Sequence, residues 1–154
     1  MFVGREAELA KLESLYEQRS FQMAVVYGRR RVGKTTLINE FCRGKRTLSF
    51  TALEQSDADN LADFNRAIAS FFNLPTSLGG FSSWTDALSF IADRARTERF
   101  VFVFDEFPYA AMRNEALPSI FQVAIDKAFK ETDAFLILCG SNQGFMESNV
   151  LGRK

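Results

Sequence analysis

A run of five apolar residues, Met23 to Tyr27, stops at Gly28, and from Thr35 to Phe41 the chain places Leu37, Ile38 and Phe41 at helical spacing. Between this predicted strand and predicted helix lies Gly28-Arg29-Arg30-Arg31-Val32-Gly33-Lys34-Thr35, which fits G-x-x-x-x-G-K-[ST]. Glycines at those two places permit a loop whose backbone N–H groups turn inward, and the helix that follows adds its positive N-terminal end. A strand, an anion-sized cradle and a helix are thus specified together.

The cradle suits the phosphates of a nucleotide. Lys34 is expected to reach the β- and γ-phosphates, Thr35 to ligate Mg²⁺ through its hydroxyl, and Thr36 to donate to the α-phosphate. Gly28, Val32 and Gly33 contribute backbone to the loop. Arg29, Arg30 and Arg31 fill its variable positions, where side chains can point outward. They read as a solvated basic rim, with a nucleic-acid patch as the alternative.

Segments of strand length alternate with segments of helix length along the rest of the chain. Residues 5 to 19 carry Leu9, Leu12, Leu15 and Tyr16 at helical spacing, Thr47 to Ala52 reads as a strand, and residues 58 to 72 carry Leu61, Phe64, Ile68 and Phe72 on one face. A turn-rich stretch from Leu74 to Ser82 follows. Ser83 and Asp86 resemble a capping box before a helix running to about Thr97, and Phe100 to Phe104 is an apolar strand. Pro108 is expected to interrupt regular structure. Leu117, Ile120, Phe121, Ala124 and Ala128 then mark a helix, Ala134 to Cys139 a strand, and the tail from Gly140 an irregular segment. Such alternation predicts the α/β class, with a parallel sheet covered on both faces, because parallel crossovers need a helix-length connection.

Two of these strands end in polar groups. Phe100-Val101-Phe102-Val103-Phe104 leads into Asp105-Glu106, so both carboxylates emerge at the edge where open α/β sheets bind ligands. This is the Walker B pattern, in which Asp105 holds Mg²⁺ and Glu106 orients and deprotonates the attacking water. Simple capping of the next helix is the alternative for both acids. The strand from Ala134 leads into Gly140-Ser141-Asn142, where Ser141 or Asn142 could sense the γ-phosphate; a plain turn is the competing reading. At the N-terminus, Phe2, Val3 and Arg5 could fold over an adenine.

Composition removes other chemistries. Histidine is absent and neither Cys42 nor Cys139 has a neighbour at metal-ligand spacing, so Ser-His and Cys-His nucleophiles and a zinc site drop out and the thiols read as buried and reduced. Lys plus Arg equals Asp plus Glu at 19 each, which gives no global steering toward nucleic acid or anionic lipid. No apolar run reaches the roughly 20 residues that span a bilayer. A cytoplasmic protein without membrane association is expected. At 154 residues, with 47% hydrophobic residues and 17 Phe, one domain with one core is the default.

FVGREAEL, VYGRRRVGKTTLINEF, FVFVFDEFPYA and FLILCGSNQGFME, in this order, resemble the archaeal-type ATPase family, close to the AAA+ and STAND groups. The likeness spans nearly the whole chain. It implies a P-loop NTPase three-layer sandwich with sheet order 1-4-3-2 and a fifth strand missing. It also raises Phe2, Val3 and Arg5 to an adenine-side element and implies ATP rather than GTP, since no Asn-Lys-x-Asp guanine reader occurs. Family members are usually longer, continuing into a lid, a winged-helix-like region and often a nuclease-like domain. Residues 1–154 are therefore expected to be an ATPase core cut before those parts, with Arg153 a poor candidate for an arginine finger. Nucleic-acid or protein partners would engage through the missing regions, and a homo-oligomer is possible on this resemblance. ATP hydrolysis is the favoured function; a small-molecule P-loop kinase and a nucleotide-binding module with negligible turnover are the alternatives.

Overall fold

The computed structural model describes residues 6–28, 33–75, 77 and 79–150. Helix α1 (Glu6–Tyr16) precedes strand β1 (Gln22–Tyr27), α2 (Lys34–Cys42), β2 (Thr47–Thr51), α3 (Asp57–Phe72), α4 (Trp84–Arg94), β3 (Val101–Asp105), α5 (Phe107–Arg113), α6 (Leu117–Lys127), β4 (Phe135–Gly140) and α7 (Gln143–Asn149). The strands form one four-stranded sheet in the order β1-β4-β3-β2, and every neighbouring pair is parallel. This is the expected order.

Alternation along β3 and β4 sorts side chains to two faces. Val101, Val103, Phe135, Ile137 and Cys139 meet Leu12 of α1 and Leu37, Ile38 and Phe41 of α2. Phe102, Phe104, Leu136 and Leu138 point the other way, into a larger core built with Phe64 and Ile68 of α3, Trp84, Leu88 and Ile91 of α4, and Phe121 of α6. Register supports the sorting, since Val103 lies opposite Ile137 and Phe104 opposite Leu138. Three layers result.

One expectation about coverage needs correcting. Leu48 and Phe50 of β2 are buried in the larger core, whereas Ser49 and Thr51, on the opposite face, are exposed. Helices α1 and α2 cover the β1, β4 and β3 side only. A polar outward face is what an edge strand tolerates.

Two helices occur where irregular chain is expected. Pro108 does not interrupt structure but sits in the first turn of α5, where it lacks no needed donor because the first N–H groups of a helix have no intrahelical partner. The tail is not irregular either: Asn142 caps α7, its side-chain oxygen accepting from Phe145 N–H at 2.9 Å. Helix α1 stops at Tyr16, earlier than the periodicity suggests. Ser83 caps α4 as expected, and Ser56 caps α3 in the same way.

Elsewhere, long side chains fasten the layers. Arg99 donates to the carbonyls of Tyr16, Gln18 and Asp133 and lies over the Tyr16 ring, which pins α1 to the N-terminal ends of β3 and β4. Among the described residues, no helix is long and apolar enough to cross a membrane.

Phe104 is fully buried, with ring centroids 4.9 Å from Phe50, 5.1 Å from Phe121 and 5.6 Å from both Phe64 and Phe107. Phe104→Ala should therefore destabilise the fold by about 3–5 kcal/mol, read as a shift of the urea midpoint with unchanged m-value.

Candidate nucleotide site

All four strands point their C-terminal ends to one edge, so Gly28, Asp105 and Gly140 come out side by side. Gly28 is the last described residue before the loop, with φ at 146°, and Gly33, where description resumes, holds φ at 82° in the left-handed region. Helix α2 starts directly after Gly33, whose carbonyl accepts from Leu37 N–H at 2.8 Å. Arg29, Arg30, Arg31 and Val32 lie outside the described residues, as do Phe2, Val3, Arg5 and Arg153.

Lys34, in the first turn of α2, is only 6% exposed. Its ammonium stands 3.7 Å from Asp105 Oδ1 and 3.4 Å from Ser141 Oγ. Thr35 and Thr36 are exposed beside it. The strand order explains the meeting: β1 pairs with β4 and β4 with β3, so the helix after β1 faces the end groups of both neighbours.

Asp105 and Glu106 separate in function of place. Asp105 stays on the strand, its Oδ1 accepting from Glu106 N–H at 2.8 Å. Glu106 leaves it with φ 53° and ψ 44°, a left-handed conformation that costs a residue bearing a Cβ roughly 1–2 kcal/mol. That turn swings its carboxylate toward β4, where Ser141 N–H donates to Oε1 at 3.2 Å and Ser141 O–H donates to Oε2 at 2.9 Å. Four of the expected residues, Lys34, Asp105, Glu106 and Ser141, thus form one connected cluster.

Asn142 takes a different place. It stands beside the cluster, but its side-chain oxygen is used as the α7 cap, so Ser141 rather than Asn142 contacts Lys34 and Glu106. A recess of about 330 Å³ opens next to them, lined by Glu106, Pro108, Tyr109, Met112, Ser141 and Asn142. Behind the cluster, burial pushes the Cys139 thiol well above its usual range, and the nearby Asp105 charge pushes it the same way. Burial likewise raises the Cys42 thiol.

Sequence reading missed what holds Glu106 and Ser141 in register. A Cβ on Gly140 would lie 2.7 Å from both Met146 Sδ and Pro108 Cδ, so the first turn of α5 and the middle of α7 rest on the bare backbone at the end of β4. Nothing in local sequence announces that contact. The Asn142 cap was also missed, although an Asn ahead of Phe145 and Met146 is a helix-start signal that could have shown it.

Comparison with known proteins agrees with this architecture. A family model described as an ATPase domain predominantly from Archaea matches residues 2–154. The chain belongs to this family. It is a P-loop ATPase domain by family and fold. An uncharacterized protein of Methanocaldococcus jannaschii is 32% identical over 154 residues, covering 100% of this chain and 33% of that protein. The chain therefore spans about a third of that relative's length. An uncharacterized ATP-binding protein of the same organism is 46% identical over 46 residues, or 30% of this chain and 78% of that protein. Among solved structures, Cdc6p of Pyrobaculum aerophilum superposes with a TM-score of 0.69 at 18% identity, over 99% of this chain and 42% of its own. A Walker-type ATPase of Pyrococcus abyssi gives 0.66 at 20% identity, over 99% and 49%. Identities this low speak to the fold alone.

The Gly140 contact is testable. Gly140→Ala forces Pro108 and Met146 off the end of β4, and overpacking of this kind costs about 1–3 kcal/mol. Thermal or urea denaturation should show that loss, while Gly44→Ala, where an added Cβ meets nothing within 4 Å, should show only the cost of its left-handed backbone.

Proposed function

We propose that this domain binds Mg-ATP on the segment from Gly28 to Thr36 and hydrolyses it with Glu106 as the general base. The observation that carries the reading is the position of Lys34: a buried ammonium at the head of α2, within reach of groups from the ends of both β3 and β4. A buried cation needs negative partners. Asp105 at 3.7 Å is a loose one, which suits a lysine whose intended partner is the phosphate of a ligand.

The donor set at the same edge fits a small, hard cation. Thr35 offers a hydroxyl and Asp105 a carboxylate, oxygen ligands of the kind Mg²⁺ takes while keeping several waters. Bound there, Mg²⁺ would neutralise charge on the β- and γ-phosphates. Lys34 would move from Asp105 to the phosphates. Thr36 and the loop amides, including those of Arg29, Arg30, Arg31 and Val32, would hold the α- and β-phosphates. Phe2, Val3 and Arg5 would flank the adenine, as the family resemblance implies.

Glu106 is the carboxylate best placed for the water. The left-handed turn at its backbone separates it from Asp105, so the two acids do not compete for one role. A nucleotide-binding module with negligible turnover is the second reading. It is favoured by the Ser141 bonds that engage both Glu106 oxygens. The task coupled to the nucleotide, whether nucleic-acid handling or signalling, would belong to the whole protein.

Two variants test the assignment. Lys34→Ala should abolish Mg-ATP binding in titration calorimetry while circular dichroism shows the fold retained; undiminished affinity in a folded variant would sink the cradle. Glu106→Gln should bind Mg-ATP normally and release phosphate about 10²- to 10⁴-fold more slowly, the usual worth of general-base assistance. Unchanged turnover in an active protein would make Glu106 structural.

A further inference from the structure

Phe145-Met146-Glu147 belongs to the family resemblance, yet the nucleotide chemistry uses none of the three. Each has its own place on α7. Phe145 packs on the larger core, Met146 is buried with its Sδ against Gly140, and Glu147 is exposed and reaches β1. There the Tyr27 O–H donates to Glu147 Oε2 at 3.4 Å, joining residues 120 positions apart.

Tyr27 is where a tie of this kind has the most effect. It closes β1 immediately before Gly28, whose φ of 146° is open to glycine and leaves the direction of the departing chain unset. The strand ladder holds this point from one side. All six residues of β1 are only half-buried, and Tyr27 pairs with Gly140 of β4 while its other flank has no neighbour among the described strands. The hydroxyl bond adds a second hold. It runs to a helix already fixed by the Asn142 cap and by Met146 on Gly140. An exposed bond of this length adds little to global stability, so its worth lies in where it acts.

We infer that Glu147, acting through the Tyr27 hydroxyl, is a positioning residue that presets the direction in which the chain enters the phosphate-binding segment. This rests on the reading of Gly28 to Thr36 as the cradle for Mg-ATP. Presetting removes an ordering cost that binding would otherwise carry, and so raises affinity without adding a contact to the ligand. Tyr27 precedes every group of the cradle. The gain is therefore shared by nucleoside diphosphates and triphosphates alike.

The experiment is calorimetric titration of Mg-ADP, and of Mg with a non-hydrolysable ATP analogue, into this chain and its variants, with circular dichroism checking the fold. Tyr27→Phe and Glu147→Ala should each bind about 2- to 10-fold more weakly, the factor that one net hydrogen bond is worth, and equally so for both nucleotides. The double variant Tyr27→Phe with Glu147→Ala should be no weaker than either single one. Glu147→Gln, which keeps an acceptor oxygen, should stay close to the unaltered chain. A merely structural tie would lower the urea midpoint and leave both affinities where they were. Unchanged affinity in Tyr27→Phe, additive losses in the double variant, or a loss confined to the triphosphate analogue overturns the inference. Lys34→Ala, titrated alongside, separates the two readings. If it binds the analogue undiminished, the cradle itself fails; if it loses binding while Tyr27→Phe does not, only the role of Glu147 fails.

Discussion

Because every strand pair is parallel, the chain must return across the sheet before each new strand, and all C-terminal ends collect along one edge. That constraint sets the rest. It requires a helical crossover after β1, and so puts the head of α2 at the edge. It also brings the end of β3 and the end of β4, which pair directly with each other, into line with β1. Residues separated by 107 positions, Lys34 and Ser141, meet for this reason. The order β1-β4-β3-β2 matters as much as the parallel direction: with β4 between β1 and β3, Ser141 falls between the lysine and the acids.

The core divides its labour unevenly. Val101, Val103, Ile137 and Cys139 of the central strands, with Phe135, face α1 and α2, whereas Phe102, Phe104, Leu136 and Leu138 face α3 to α6. Phe50, Phe64, Trp84, Phe102, Phe104, Phe107 and Phe121 form a continuous chain of ring contacts there, mostly edge-on or tilted, an arrangement aromatic quadrupoles prefer to face-to-face stacking.

Much of this was legible because it is periodic. Apolar runs ending in Gly28 and Asp105 mark buried strands, and Phe64, Ile68 and Phe72 mark the inward face of α3. The meeting of Lys34 with Asp105 and Glu106 could be expected because the motifs put these chemical types at the head of the helix after β1 and at the end of β3, and either Ser141 or Asn142 was a candidate to join them. What stayed hidden depends on distance in three dimensions. Pro108 reads locally as a breaker, yet the unpaired N–H groups of a first turn accept it. The left-handed backbone of Glu106 cannot be inferred from a glutamate. The close seat of Pro108 and Met146 on Gly140 joins residues from α5, α7 and β4 that no spacing rule relates. That Ser141 contacts Lys34 and Glu106 while the Asn142 side chain caps α7 could be seen only with the elements in place.

The half-wet edge strand β2 makes the sheet mechanically and kinetically uneven. Its outer neighbour position is unfilled among the described strands, and Ser49 and Thr51 on one of its faces meet water. Amide deuterium should enter there through local opening, long before it enters Val103 or Ile137, whose amides lie on strands flanked on both sides and sealed above and below. Local opening is thereby directed to the outer strands of the sheet, while Asp105, Glu106 and Ser141, which follow β3 and β4, are backed by its two central strands.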